Sequence, residues 1–61
     1  SFSRYLTQIR MEKAKELLES GQFNVSEVSA RTGYKSSQYF SITFRRYMGY
    51  SPSEAEAHKG D

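Results

Sequence analysis

NVSEVSARTGYKSSQYFSITFRR, residues 24–46, is the stretch whose reading decides the fold. Asn24 is a strong helix N-cap, and Glu27 three residues on completes an N-x-x-E start signal, a variant of the capping box. Val25 and Val28 then face inward from a short helix, and Glu27 and Arg31 stand four apart in the order that favours an ion pair. Gly33 stops that helix at a left-handed turn, a conformation that glycine adopts without steric cost. Tyr34 after the turn should pack back onto the core. Ser36 is the next N-cap. Steps of about 100° per residue put Tyr39, Phe40, Thr43, Phe44 and Tyr47 on one face, read as the core, and Gln38, Ser41, Ile42 and Arg45 on the opposite one. Two helices joined by a tight turn, the second polar on its outer side, make a helix-turn-helix.

The rest of the chain frames this pair. Upstream, residues 2–20 read as one long helix with good helix formers in its interior, MEKAKELLE at 11–19, and Gly21 is a suitable residue to stop it. Gln22 and Phe23 form a short connection, with Phe23 as a core plug. Downstream, Gly49 ends the third helix. Ser51, Pro52 and Glu54 then supply an N-cap, a first-turn proline and an acid at the third position, the start of a last short helix. The expected fold is all-α: a small, homeodomain-like helix-turn-helix bundle. Its long first helix covers 1–20, its helix-turn-helix subdomain covers 24–57 (a short supporting helix, a recognition helix at about 36–48 and a short C-terminal helix), and residues 58–61 are a disordered tail.

With 61 residues the chain is one domain or part of one. A chain this short buries only about 60% of the surface its unfolded form exposes, so its stability is expected to be marginal. It has no cysteine, which excludes a disulfide framework and a thiolate metal site. Apolar residues at 36% and aromatics at 15% suit a folded unit. No apolar run approaches the ~20 residues that span a bilayer, and the start carries no signal-peptide pattern. A soluble, cytoplasmic protein with no membrane partner is expected. The single histidine, His58, sits exposed in the polar tail with no paired acids or glycine-rich phosphate loop, so an enzyme is not expected. The acids of SEAEAHKGD at 53–61 match no metal-site spacing; neither metal nor cofactor is expected.

The net charge of +2 is small, but its distribution is not even. Glu12, Glu16, Glu19 and Glu27 precede, and Glu54, Glu56 and Asp61 follow, an acid-free stretch that carries Arg31, Lys35, Arg45 and Arg46. A local basic face on a near-neutral chain is the footprint of phosphate contact; a merely solvated basic surface is the alternative. Together with the polar outer face of the third helix, it points to a helix placed in the major groove of double-stranded DNA.

The first helix carries two apolar stripes. Phe2, Tyr5, Leu6 and Ile9 share one face, while Met11, Ala14 and Leu18 share another rotated by roughly 140–150°, with Leu17 between. Two stripes imply two cores, only one of which this chain supplies. One wide stripe on a helix buried nearly all round is the other reading.

These residues resemble the DNA-binding module of the AraC/XylS family of bacterial transcription regulators. The resemblance rests on FSRYL at 2–6, Arg10, Ala14, Leu17 and Leu18, VSEVSARTGY at 25–34, YFSITFRR at 39–46 and GYSPSE at 49–54. That module joins two helix-turn-helix units by a long linker helix. The resemblance implies that residues 1–20 are the linker helix and 24–57 the second unit, that the first unit is absent, and that it or a second chain would cover Phe2, Tyr5, Leu6 and Ile9. It further implies two recognition helices about 34 Å, one DNA turn, apart in the parent. Three positions depart from the family pattern. Ile42 stands where arginine or another polar residue is common, Ser29 where a small apolar one is. Ala55 and Glu56 stand where an aromatic and an arginine are usual, which predicts looser docking of the last helix.

The chemistry follows from the groove. Gln38 can pair with adenine through two hydrogen bonds, Ser37 and Ser41 can bond several bases, and Ile42 can pack on a thymine methyl, which predicts a preference for A·T pairs. For Ile42 a contact with another chain is the competing reading. Phosphate contacts are expected from Lys35 and Ser36 at the helix start, where free N–H groups favour an anion, and from Arg45, Arg46 and Arg31. Arg31 alternatively pairs with Glu27. Arg10 reads as structural, bonding loop carbonyls, and Arg4, Lys13 and Lys15 as a solvated face. A protein-interaction or oligomerisation fragment that uses the apolar face of the first helix is the alternative function.

Overall fold

The computed structural model describes residues 1–57 and forms four helices, α1 (Phe2–Ser20), α2 (Val25–Arg31), α3 (Ser37–Met48) and α4 (Pro52–Ala57). No strand occurs among the described residues. The tail at 58–61 with His58, for which disorder and exposure are expected, and the metal reading of 53–61 that depends on it lie outside the described residues.

Each helix start is set by a side chain. The Ser1 hydroxyl accepts from the Arg4 amide at 3.4 Å. The Asn24 carbonyl oxygen Oδ1 accepts from the Glu27 amide at 2.8 Å, and Glu27 Oε1 accepts from the Asn24 amide at 2.9 Å, so the capping box is closed. The Ser36 hydroxyl accepts from the Tyr39 amide at 3.2 Å. Ser51 and Glu54 repeat the box at the start of α4, with 2.9 Å from the Ser51 amide to Glu54 Oε2 and 3.4 Å from the Glu54 amide to Ser51 Oγ. A cap of this kind is worth about 1 kcal/mol, a real share of the stability of so small a domain.

The turn between α2 and α3 closes on itself. The Gly33 amide donates to the Ala30 carbonyl at 3.2 Å and the Tyr34 amide to the Ser29 carbonyl at 2.9 Å. This paired arrangement needs a left-handed residue between the two amides, and Gly33 provides it at φ 93°.

The core draws on all four helices. Met11, Ala14 and Leu18 of α1, Val28 of α2, Phe40 and Phe44 of α3 and Ala55 of α4 are fully buried, with Leu17, Phe23, Val25, Tyr34, Met48 and Tyr50 around them. Phe44 meets Tyr50 edge-on at 5.7 Å and Phe40 at 5.8 Å between ring centroids, offset geometries that aromatic pairs favour. Ser29 is buried where an apolar residue is expected, and its hydroxyl donates to the Ser26 carbonyl at 2.9 Å. Thr32 does the same to Val28 at 2.8 Å. The loose docking expected of α4 is not found. Pro52 and Ala55 are buried, and α4 packs on all three other helices, because a methyl side chain lets the short helix approach α1 closely.

The two stripes of α1 part company as the spacing predicts. Met11, Ala14 and Leu18 are sealed, while Phe2, Tyr5 and Ile9 are 76%, 60% and 44% exposed and Leu6 is half-buried. The wide, uniformly buried stripe is thereby ruled out for this chain. One expectation for α3 fails. Tyr39 and Tyr47, placed in the core by the wheel, are 61% and 43% exposed. Tyr39 sits at the edge of the apolar arc, about 100° from Phe40, and Tyr47, only about 20° from Phe40, lies in the last turn of α3 beyond the fully buried Phe44. A tyrosine at either place can keep its ring on the core rim and its hydroxyl in water.

Candidate nucleic-acid interface

The outer side of α3 faces away from Phe40 and Phe44, which are locked into the core. Gln38, Ile42, Arg45 and Arg46 are all exposed on it, with Ile42 near the middle of the arc. Ser37 is exposed in the first turn. Ser41 is only half-buried on the side nearer Phe44 and Met48, because its position is only about 60° round the helix from Phe44. It lies at the border of the face and not within it.

Lys35 and Ser36 are exposed just ahead of α3. The Ser36 hydroxyl oxygen is engaged by the Tyr39 amide, which leaves its O–H free to donate. Arg31 belongs elsewhere. Its guanidinium lies 4.3 Å from the centroid of the Phe23 ring, while the carboxylate of Glu27 is occupied by the Asn24 amide. In this structure the exposed guanidinium packs as a cation over an aromatic face and not against Glu27.

Arg10 is structural, by a different route from the one expected. Its guanidinium stands 5.4 Å from the Tyr34 ring centroid and so close to the turn that a Cβ on Gly33 would come within 3.4 Å of it. Among the described residues no hydrogen bond runs from Arg10 to a loop carbonyl. Arg10 thus clamps the turn to α1, and Tyr34 passes the contact on to Tyr39 at 5.9 Å and Phe40 at 5.5 Å.

Tyr39 is the residue near the reading face that pattern reading misplaces. It borders the outer face of α3 and also lines a shallow hollow with Thr7, Arg10, Lys35 and Ser36. Its period fits the core; only its amphipathic chemistry and its place at the arc's edge signal otherwise. Thr7 and Arg10 reach this hollow from α1, a contribution that no local pattern in residues 24–46 reveals.

Comparison with known proteins gives consistent matches. Residues 1–58 match the family described as a helix-turn-helix domain. The "HTH-type transcriptional activator RhaR" of Yersinia pseudotuberculosis (strain IP 31758) is 43% identical over 54 residues, 88% of this chain and 19% of that protein. RhaR of Yersinia pestis (strain Angola) has the same identity and coverage, 43% over 54 residues. "Histidine kinase P4" of Formosa agariphila is 35% identical over 52 residues, 85% of this chain and 4% of the kinase. The chain spans a fifth or less of the length of these curated relatives. No solved structure matches it.

Proposed function

Because the chain belongs to the AraC-type helix-turn-helix family, we propose that it binds double-stranded DNA with α3 in the major groove, as part of a bacterial transcription regulator acting in the cytoplasm. The observation that carries this reading is the exposed arc of α3. A helix whose opposite side is anchored by two buried phenylalanines presents Gln38, Ile42, Arg45 and Arg46 together, and the major groove admits one such helix. No helix among the described residues is long and apolar enough to cross a membrane. The family is one of regulators and not catalysts. The match to a kinase covers 4% of that protein and brings no phosphoryl transfer with it.

In this reading Gln38 and Ile42 contact bases, the first bidentate to adenine and the second against a thymine methyl. Ser37 adds a less selective contact at the helix start, and Ser41 one from the border of the face. Lys35, Ser36, Arg45 and Arg46 hold the phosphates, and Arg31, exposed at the end of α2 over the Phe23 ring, joins them by turning outward. Residues 1–20 are the linker helix and 24–57 the second unit of a paired reader. The exposed Phe2, Tyr5 and Ile9 support this division, since the first unit would cover them.

A single module buries only about 600–1,000 Å² on DNA, so this chain alone should bind weakly and lose affinity steeply with salt. A gel shift at low and moderate salt, with amide shifts recorded on a short duplex, tests it. Shifts centred on Gln38, Ile42 and Arg45 are expected, and a Gln38→Ala variant should lose preference at an A·T pair by about 1–3 kcal/mol. Tight, salt-insensitive binding would contradict the two-unit picture. The exposed face of α1 favours one second reading, an association fragment. Its mark would be a concentration-dependent dimer through α1 with no response to DNA.

A further inference from the structure

We infer that the trough between the first half of α1 and the flank of α3 holds a stretch of DNA sugar–phosphate backbone, with Arg4 as its outer cation. This rests on the reading of α3 as the groove helix and goes beyond it, because it assigns a backbone contact to the linker helix.

Two hollows adjoin along α1. One is lined by Thr7, Arg10, Lys35 and Tyr39 among others, the second by Arg4, Thr7 and Tyr47. Thr7 belongs to both, so they are the two ends of one trough. Arg4, Thr7 and Arg10 recur at a spacing of three and therefore run along one side of α1. Tyr39 and Tyr47 form the facing wall, eight residues or roughly 12 Å apart on α3. Three cations, several hydroxyls and no carboxylate line the trough, the composition that recognises a polyanion. The apolar Phe2, Tyr5 and Ile9 point away from it, on the far side of α1.

The position suits the backbone. A helix with its side chains is about 10–12 Å across, and the major groove is about 12 Å wide, so a seated helix has a sugar–phosphate wall against each flank. Tyr39 borders both the reading face and the trough, which places one such wall at the trough's mouth. Arg10 is already oriented there by the Tyr34 ring at 5.4 Å. Lys35 stands at the entrance and Arg4, exposed, further along. What the sequence presents as a solvated arginine is thus the far end of a cationic track that begins at the start of α3.

The test is the salt dependence of binding to a short duplex by the chain, its Arg4→Gln variant and its Lys13→Gln variant, with amide shifts recorded in parallel. Lys13 is exposed on the opposite side of α1. Each phosphate contact contributes about −0.9 to the slope of log K against log salt. Arg4→Gln should therefore flatten the slope by about 0.9, so that a fourfold rise in salt costs the variant about three- to fourfold less affinity than the parent. The loss should be the same on duplexes of different sequence, Lys13→Gln should match the parent, and the Thr7 and Tyr47 amides should shift with that of Gln38. Equal slopes for Arg4→Gln and the parent, with the Gln38 shift intact, would overturn the trough and leave the groove reading standing. A slope change as large in Lys13→Gln would reduce the effect to diffuse charge and overturn it too. Equal slopes with weakened self-association in Arg4→Gln would give the trough to another protein chain instead. No Gln38 shift at any salt would overturn both readings.

Discussion

The two halves of α1 are one helix with opposite fates. Met11, Ala14 and Leu18 are sealed at 0% exposure, while Phe2, larger and no less apolar, is left at 76% and Tyr5 beside it at 60%. Hydrophobicity does not separate them; partners do. Met11, Ala14 and Leu18 join the core shared with α2, α3 and α4, while the Phe2, Tyr5 and Ile9 side of the first half meets nothing that buries it. The comparison teaches that an apolar stripe in a sequence declares a need for cover without saying that the same chain provides it. Its strongest test is a matched pair of truncations. Leu18→Ala opens a cavity at the centre of the core and should cost about 2–5 kcal/mol, against a total stability of roughly 3–9 kcal/mol for a chain this size. Ile9→Ala should move stability by no more than about 0.5 kcal/mol. Urea melts followed by circular dichroism read both, and a large effect of Ile9→Ala would break the comparison.

The boundary between the halves falls at Arg10, where α1 meets the turn. The guanidinium lies over Tyr34 and against Gly33, so the turn is held from outside as well as by its own hydrogen bonds. Gly33→Ala tests this at a smaller scale. At φ 93° any side chain is strained by about 1–2 kcal/mol, and its Cβ would press on Arg10 at 3.4 Å. Gly49 has a similar φ of 89° with nothing within 4 Å of such a Cβ. Gly49→Ala therefore carries the strain alone. The difference between the two variants in the same melt measures the Arg10 clamp, and equal losses would mean that Arg10 yields freely and does not hold the boundary.

The helices and their caps were legible in the sequence because each depends on residues three or four apart. Asn24 with Glu27, Ser36, and Ser51 with Glu54 all act where pattern places them. So did the split of α1, since the angle between Ile9 and Met11 is a property of one helix. What was not legible depends on residues far apart in sequence. Tyr39 follows the core period, yet Tyr34, itself under Arg10, meets its ring at the rim and leaves it exposed. Arg31 has Glu27 at the ideal spacing, but the capping box turns that carboxylate back toward the Asn24 amide, and the guanidinium lies over the Phe23 face instead. Ser41 reads as part of the outer face and lies on its border, a difference of about 60° that decides contact and that alternation of polar residues cannot resolve.

The smallest effect on stability should come from the exposed half of α1, and it is the one that tells what that half is for. A Tyr5→Gln, Ile9→Gln double variant replaces two exposed apolar side chains with a good helix former, so melting should shift by no more than about 0.5 kcal/mol per site. Self-association is where the change should appear. A contiguous apolar face of this kind invites a partner, and sedimentation at rising concentration should show the parent associating and the double variant remaining monomeric. If the variant loses more than about 1 kcal/mol of stability with no change in association, Tyr5 and Ile9 are packed within the monomer, and the two halves of α1 are less different than their exposures imply.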